Sequence, residues 1–212
     1  MASRRVQMQP MEAHLNVVFD LGGVVLTWDP TAIVASVFDD VGDRQLALDG
    51  VFGNPDWHEL DRGTLTRPEA IERAARRTGI TVAKLGSLFE AVPRALVPMP
   101  DSVQLVTAVR AAGNPLFVLS NLHRASLARI EADYDVFALF DGRVVSCEVG
   151  ACKPEAAIYI ELLDRFDLDP SDTVFIDDMQ ANLDAAASFG IRTIRFESTQ
   201  SCRADLRAFG CI

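Results

Sequence analysis

The chain has 212 residues, 49% of them hydrophobic and 24% charged, enough to bury a sizeable core while falling between one and two ordinary domains. Its formal charge of −10 argues against nucleic acid or anionic membrane as a partner, because binding a polyanion depends on neutralising its phosphates with a broad basic surface. No window approaches the roughly 18 to 20 uninterrupted apolar residues of a membrane span, and residues 1–14 carry Arg4 and Arg5 with no apolar stretch behind them, so they read as a flexible leader on a cytoplasmic protein.

In chain order, residues 15–19 (LNVVF) form the first short apolar run, nearly uninterrupted and rich in β-branched residues, as expected for a strand covered on both faces. The stretch 30–98 has no comparable run and shows helical spacing at 31–38, 67–78 and 82–96, so it reads as a helical insertion. Pro30, Pro93, Pro98 and Pro100 punctuate its two ends. A helix over 102–112 then leads into a second run at 115–119 (PLFVL). Helical spacing at 154–166 precedes a third run at 173–176 (TVFI), and a helix over 181–189 precedes a further strand over 191–196. Alternating strands and helices imply right-handed βαβ crossovers and an α/β fold, a Rossmann-like doubly wound parallel sheet with a small helical insertion. The expected division is 15–29 and 99–212 for the core and 30–98 for the insertion. Cys147, Cys152, Cys202 and Cys211 contain no CxxC pair and give no disulfide framework, so they are expected as reduced thiols.

Each of the three runs stops at polar residues: Asp20 after the first, Ser120 and Asn121 after the second, Asp177 and Asp178 after the third. Ligands of open α/β sheets bind at the carboxyl ends of the strands, so these groups are expected to converge.

Taken in order and spacing, the fragments Phe19-Asp20-Leu21-Gly22-Gly23, Leu119-Ser120-Asn121, Gly150-Ala151-Cys152-Lys153-Pro154 and Phe175-Ile176-Asp177-Asp178 resemble the four motifs of the haloacid dehalogenase superfamily. The resemblance covers nearly all of the chain from Leu15 onward, and the insertion is similar to the small helical cap of one subgroup. Within that subgroup the chain is similar to bacterial glucose-1-phosphate phosphatase-like proteins. The resemblance implies a magnesium-dependent phosphatase acting on a small phosphorylated metabolite, with a sugar phosphate among the candidates.

By the same resemblance, Asp20 is the nucleophile that forms an aspartyl-phosphate, splitting one hard displacement into two. Phosphate repels a carboxylate, so a cation is required, and clustered hard oxygens suit Mg²⁺. Asp20, Asp178 and the Gly22 carbonyl are its expected ligands, with Asp177 bound directly or through water. Lys153 pairs with Asp20 and the phosphoryl group, and the Ser120 hydroxyl binds phosphoryl oxygens. Asn121 and Asn182 are candidates either for the site or for turn and helix caps, while Gly22 and Gly23 provide a tight turn close to phosphate.

The chain departs from most phosphatases of the superfamily at Gly22, where they carry an aspartate that protonates the leaving group. General acid assistance is typically worth about 10²–10⁴ in rate. A good leaving group, a surrogate from the insertion or slow turnover would each account for the departure. His58 is the natural surrogate acid or sugar contact, with Trp57 beside it either in the substrate site or in the core. Glu59 and Asp61 lie on the same segment. His123 is a further candidate, and Arg124 either joins it or covers the following helix. Two other functions remain open: a 2-haloacid dehalogenase, in which the aspartate attacks carbon without a metal, and a non-catalytic relative that binds a phosphometabolite or a protein. The paired aspartates favour the phosphatase over the dehalogenase.

Overall fold

The computed structural model describes residues 14–212, so the leader expected over 1–14 lies, apart from His14, outside the described residues. Five parallel strands, β1 (Asn16–Phe19), β2 (Leu116–Ser120), β3 (Gly142–Val145), β4 (Thr173–Asp177) and β5 (Arg192–Arg195), form one sheet in the order β3-β2-β1-β4-β5. The chain builds outward from β1 to one edge, then crosses back to β4. The direction of winding therefore reverses between β1 and β4, which opens a crevice at their carboxyl ends.

Helices α1 (Pro30–Ala35), α2 (Val41–Ala47), α3 (Pro55–Arg62), α4 (Arg67–Thr78) and α5 (Val82–Ala95) fall between β1 and β2, and α6 (Pro100–Ala111) leads into β2. After β2 come α7 (Arg124–Asp133), β3, α8 (Ser146–Val149) and α9 (Ala156–Phe166). Then α10 (Gln180–Ser188) joins β4 to β5, and α11 (Thr199–Ala208) follows.

Alternate residues of each strand feed two cores. Val17, Phe19, Val118, Val174 and Ile176 face Leu105, Val109, Ile130 and Leu206 from α6, α7 and α11. Val18, Phe117, Leu119 and Phe175 face Ile158, Tyr159, Leu162 and Leu183 from α9 and α10. Burial on both faces explains why these runs are apolar without alternation. The edge strand β3 was not expected from sequence. Its Gly-Arg-Val-Val has only two apolar residues, and the ring of Phe166 covers Gly142 so closely that a Cβ there would meet it at 2.3 Å.

The insertion has a core of its own, built from Ile33, Val34, Phe38, Ile71, Ala74, Leu85, Leu88, Phe89 and Val92. Local sequence starts its helices: the side chains of Asp29, Asp40, Asn54, Thr66 and Thr81 each cap an N-terminus, and Thr66 with Glu69 closes a capping box. Pro30 and Pro100 occupy first-turn positions, where a missing N–H costs nothing. Pro93, near the end of the insertion, is buried inside the last turns of α5, within the helical spacing read over 82–96. The junction is a short ribbon in which Thr27 N–H donates to the Val97 carbonyl (2.9 Å) and Met99 N–H to the Val25 carbonyl (2.9 Å), so both ends leave the core side by side.

All four cysteines are free and buried. No helix among the described residues is long and apolar enough to cross a membrane. Truncating fully buried Leu88 to alanine is expected to lower stability by about 2–5 kcal/mol. Urea unfolding of Leu88→Ala checks this, and an unchanged midpoint would show that the insertion does not unfold with the rest of the chain.

Candidate active site

The register of β1 against β4, with Phe19 opposite Ile176, brings Asp20 beside Asp177. Both carboxylates are buried, and between them lies the Lys153 ammonium, 2.8 Å from Asp20 Oδ2 and 2.6 Å from Asp177 Oδ2. Lys153 is itself buried, reaching in from the loop between α8 and α9 through a cis peptide to Pro154. Burial alone would lower its pKa, but the charges of Asp20 and Asp177 outweigh this and hold it above the usual lysine value. Burial pushes the Asp20 carboxyl up to about 7, opposed by Lys153 and reinforced by the charge of Asp177.

Neighbouring amides fix this group in place. Asn121 accepts from Lys153 N–H (2.9 Å) and donates to the Lys153 carbonyl (3.0 Å), so both of its polar side-chain atoms are spent on orienting the lysine's backbone. Asn182 donates to both Asp177 oxygens (3.0 and 3.1 Å), and Met179 N–H donates to Asp177 Oδ1 at 2.8 Å. Asp177 is thus fully engaged within the protein. Asp178, half-buried and pushed up by burial and by Asp177, has its carboxylate lying over Gly23. A Cβ at Gly23 would come 2.8 Å from Asp178 Oδ2, and its φ of +78° favours glycine independently. The oxygens of Asp20, Asp177 and Asp178 lie within 4.8 Å of one another, a cluster suited to Mg²⁺. One lysine among three carboxylates leaves an excess of negative charge for a cation to balance.

The Ser120 hydroxyl, at the end of β2, is buried beside Asp20, whose pKa it helps to hold down, and has no well-formed hydrogen bond among the described residues. It lines the same cavity, of about 440 Å³, as Asp20, Gly22, Asn121, Lys153 and Asp178. Part of the cavity wall is aromatic: Trp28, Phe52 and Trp57 pack edge-to-face or tilted with ring centroids 4.6 to 6.1 Å apart, with Val92, Leu96 and Leu122 beside them, while α3 adds the polar groups of His58 and Asp61. Trp57 is therefore both a core residue of the insertion and a wall of the cavity.

His58 lies at the cavity edge and is exposed. His123 is buried and caps α7, its Nδ1 accepting from Ser126 N–H (3.3 Å) and its Nε2 pairing with Ser126 Oγ (3.0 Å), and burial pushes its pKa down to about 4, so it is a neutral ring near pH 7. Arg124 does not line the cavity; it opens α7 and approaches Gly63. The structure adds Asp61, a buried carboxyl on the cavity wall that stood out in sequence only as a neighbour of His58. Helix α3, which carries it, is fastened to the core: Arg62 forms a bidentate pair with Glu155 (2.5 and 2.6 Å), and Ser146 Oγ donates to the Asp61 carbonyl (2.7 Å).

Residues 16–190 match the model of the haloacid dehalogenase-like hydrolase family. The chain belongs to this family of hydrolases. Among curated proteins, it is 22% identical to a sesquiterpene phosphatase of Aspergillus oryzae, over 92% of this chain and 96% of that protein. It is 29% identical to mouse acyl-CoA dehydrogenase family member 10, over 92% of this chain, which spans only 19% of that longer protein. A haloacid dehalogenase family enzyme of Bacteroides thetaiotaomicron, crystallised with magnesium and inorganic phosphate, shares the fold with a TM-score of 0.66 and 24% identity, over 86% of this chain and 93% of its own.

Two outcomes follow from this geometry. Removing the charge in Lys153→Met leaves buried carboxylates unpaired and is expected to cost about 3–5 kcal/mol. Asp20 already has a folded pKa near 7 against an ordinary value of 3.8, and losing Lys153 raises it further. A raised carboxyl disfavours the folded state as pH climbs past the unfolded value, so the deficit should be small near pH 4 and largest at pH 8 in metal-free protein. Denaturant unfolding at the two pH values measures it, and a pH-independent deficit would contradict the assignment. In Gly23→Ala, Asp178 must shift, so calorimetry is expected to show weakened Mg²⁺ binding out of proportion to the loss of thermal stability.

Proposed function

We propose that this hydrolase is a Mg²⁺-dependent phosphatase of a small phosphorylated metabolite, with residues 30–98 serving as a cap over a core formed by 15–29 and 99–212. The observation that carries the reading is a buried lysine bridging two carboxylates, beside an unpartnered serine hydroxyl, in a closed-in cavity. The crowding of three carboxylates fits a divalent cation. Asp20, Asp178 and the Gly22 carbonyl would hold it, with Asp177, already engaged by Lys153 and Asn182, contributing directly or through water. When bound, Mg²⁺ supplies charge neutralisation for the incoming phosphate.

The protein's own groups do the rest. The Asp20 carboxylate attacks phosphorus, the bond from phosphorus to the leaving oxygen breaks, and an aspartyl-phosphate forms. Lys153 and the Ser120 hydroxyl bind the phosphoryl oxygens as charge moves onto them. Water then attacks phosphorus, releasing inorganic phosphate and restoring Asp20. Asn121 and Asn182 act at one remove, by holding Lys153 and Asp177 in place. The resemblance of the motifs to sugar-phosphate phosphatases keeps sugar phosphates among the candidate substrates, with His58 as a contact at the rim. The aromatic wall of Trp28, Phe52 and Trp57 supports a substrate whose organic part is apolar, since a free sugar needs several polar partners that this wall does not offer.

Phosphate release from a panel of sugar, prenyl and aryl phosphates, with and without EDTA, tests the reading. Activity that requires Mg²⁺ and disappears in Asp20→Asn is expected. Activity that survives EDTA or Asp20→Asn would refute it, and halide release from 2-haloacids without metal would favour the dehalogenase. Thermal stabilisation by beryllofluoride and Mg²⁺ without any turnover would point instead to a binding protein.

A further inference from the structure

Position 22 offers no side chain to protonate a leaving group, and the histidines near the cavity do not fill the gap. His123 is a neutral ring held at both nitrogens by Ser126, and His58 is exposed at the edge. Asp20 and Asp177 are paired with Lys153, and Asp178 belongs to the cation cluster. Asp61 is different. It is only 7% exposed, lines the cavity with Asp20 and Gly22, and forms no ion pair among the described residues. Its helix is held firmly in register by the Arg62–Glu155 pair on the next residue and by Ser146 on its own carbonyl, so the carboxyl is placed by contacts that do not use it.

We infer that Asp61 is the proton donor and acceptor of the reaction, acting from the insertion in place of the side chain missing at Gly22. This rests on the phosphatase reading. As the bond from phosphorus to the leaving oxygen breaks, the Asp61 carboxyl gives its proton to that oxygen, so alcohol departs, Asp20 holds the phosphoryl group and Asp61 becomes a carboxylate. When water attacks the aspartyl-phosphate, Asp61 takes a proton from it, phosphate departs and both aspartates return to their starting states. Burial raises the Asp61 pKa to about 7, opposed by the His123 backbone N–H and reinforced by the charge of Asp20, which suits a group that must both give and take a proton near neutrality.

The titratable groups around Asp61 are Asp20 at the end of β1, His123 before α7, Cys147 on α8 and Cys152 beside Lys153. Arg124 approaches from α7, and His58 and Arg62 share its own helix. Both thiols are pushed up by burial and stay neutral at pH 7, Cys152 to about 12. Asp20 titrates equally for every substrate. A difference between substrates with good and poor leaving groups therefore isolates Asp61.

The test compares an alkyl phosphate with p-nitrophenyl phosphate in the Mg²⁺-loaded enzyme. Asp61→Asn is expected to lower alkyl phosphate turnover by about 10²–10⁴-fold. With p-nitrophenyl phosphate it should still release one nitrophenol per site in a burst, followed by slow turnover as the phosphoenzyme accumulates. In the wild type, kcat/KM for the alkyl substrate should fall above pH 7 while that for the nitrophenyl substrate does not, a comparison that stands even if the variant folds poorly. Loss of the nitrophenol burst in Asp61→Asn, or superimposable wild-type pH profiles, would overturn the role of Asp61 and leave the phosphatase reading intact. Absence of wild-type activity on both substrates would remove the two together.

Discussion

The structure turns on one buried cation between two buried carboxylates. Taking any of these charges out of water costs several kcal/mol, and only close pairing with full hydrogen bonding offsets it. The surroundings of Lys153 meet that demand. Two parallel strands set the carboxylates side by side, Asn182 donates to both oxygens of Asp177, and Asn121 clamps the loop bearing the lysine by its backbone. The packed sheet is the means by which like charges are forced into contact. What remains unsatisfied is informative: surplus negative charge and one idle serine hydroxyl, complementary to a metal and a phosphate.

The insertion supplies what the sheet lacks. Its aromatic residues close the mouth of the crevice, and its helix α3 delivers the carboxyl of Asp61 into an environment where protonation is easy. The core offers charge, while the insertion offers apolar surface. Bringing the two together sets a carboxylate cluster suited to a cation against an aromatic surface within one cavity.

Much of this was legible in the sequence. Strands buried on both faces advertise themselves as unbroken apolar runs, and the polar residue that ends each run is the one the sheet presents to a ligand, so Asp20, Ser120 and Asp177 could be placed together before any coordinates. The edge strand β3 escaped because half of it faces outward and its glycine is explained by a ring far away in sequence, that of Phe166. The helical spacing over 82–96 ran through Pro93, and the last turns of α5 do tolerate the hydrogen bond it lacks. Asp61 was legible only as a neighbour of His58. Its importance lies in burial, and burial of a polar residue on an amphipathic helix depends on which neighbour covers it.

The Arg62–Glu155 pair differs in kind from the pairing of Lys153. It is partly exposed, and pairs of that sort contribute about 0.2–1 kcal/mol. Yet Glu155 also accepts from Cys152 N–H, and Cys152 and Glu155 flank the Lys153-Pro154 step. A weak external clasp is thus fastened to the strand of chain that carries the strongest internal one. Salt loosens the first and leaves the second untouched, so the docking of α3 on the core is the part of this assembly that responds to ionic strength, while the charges beneath it do not.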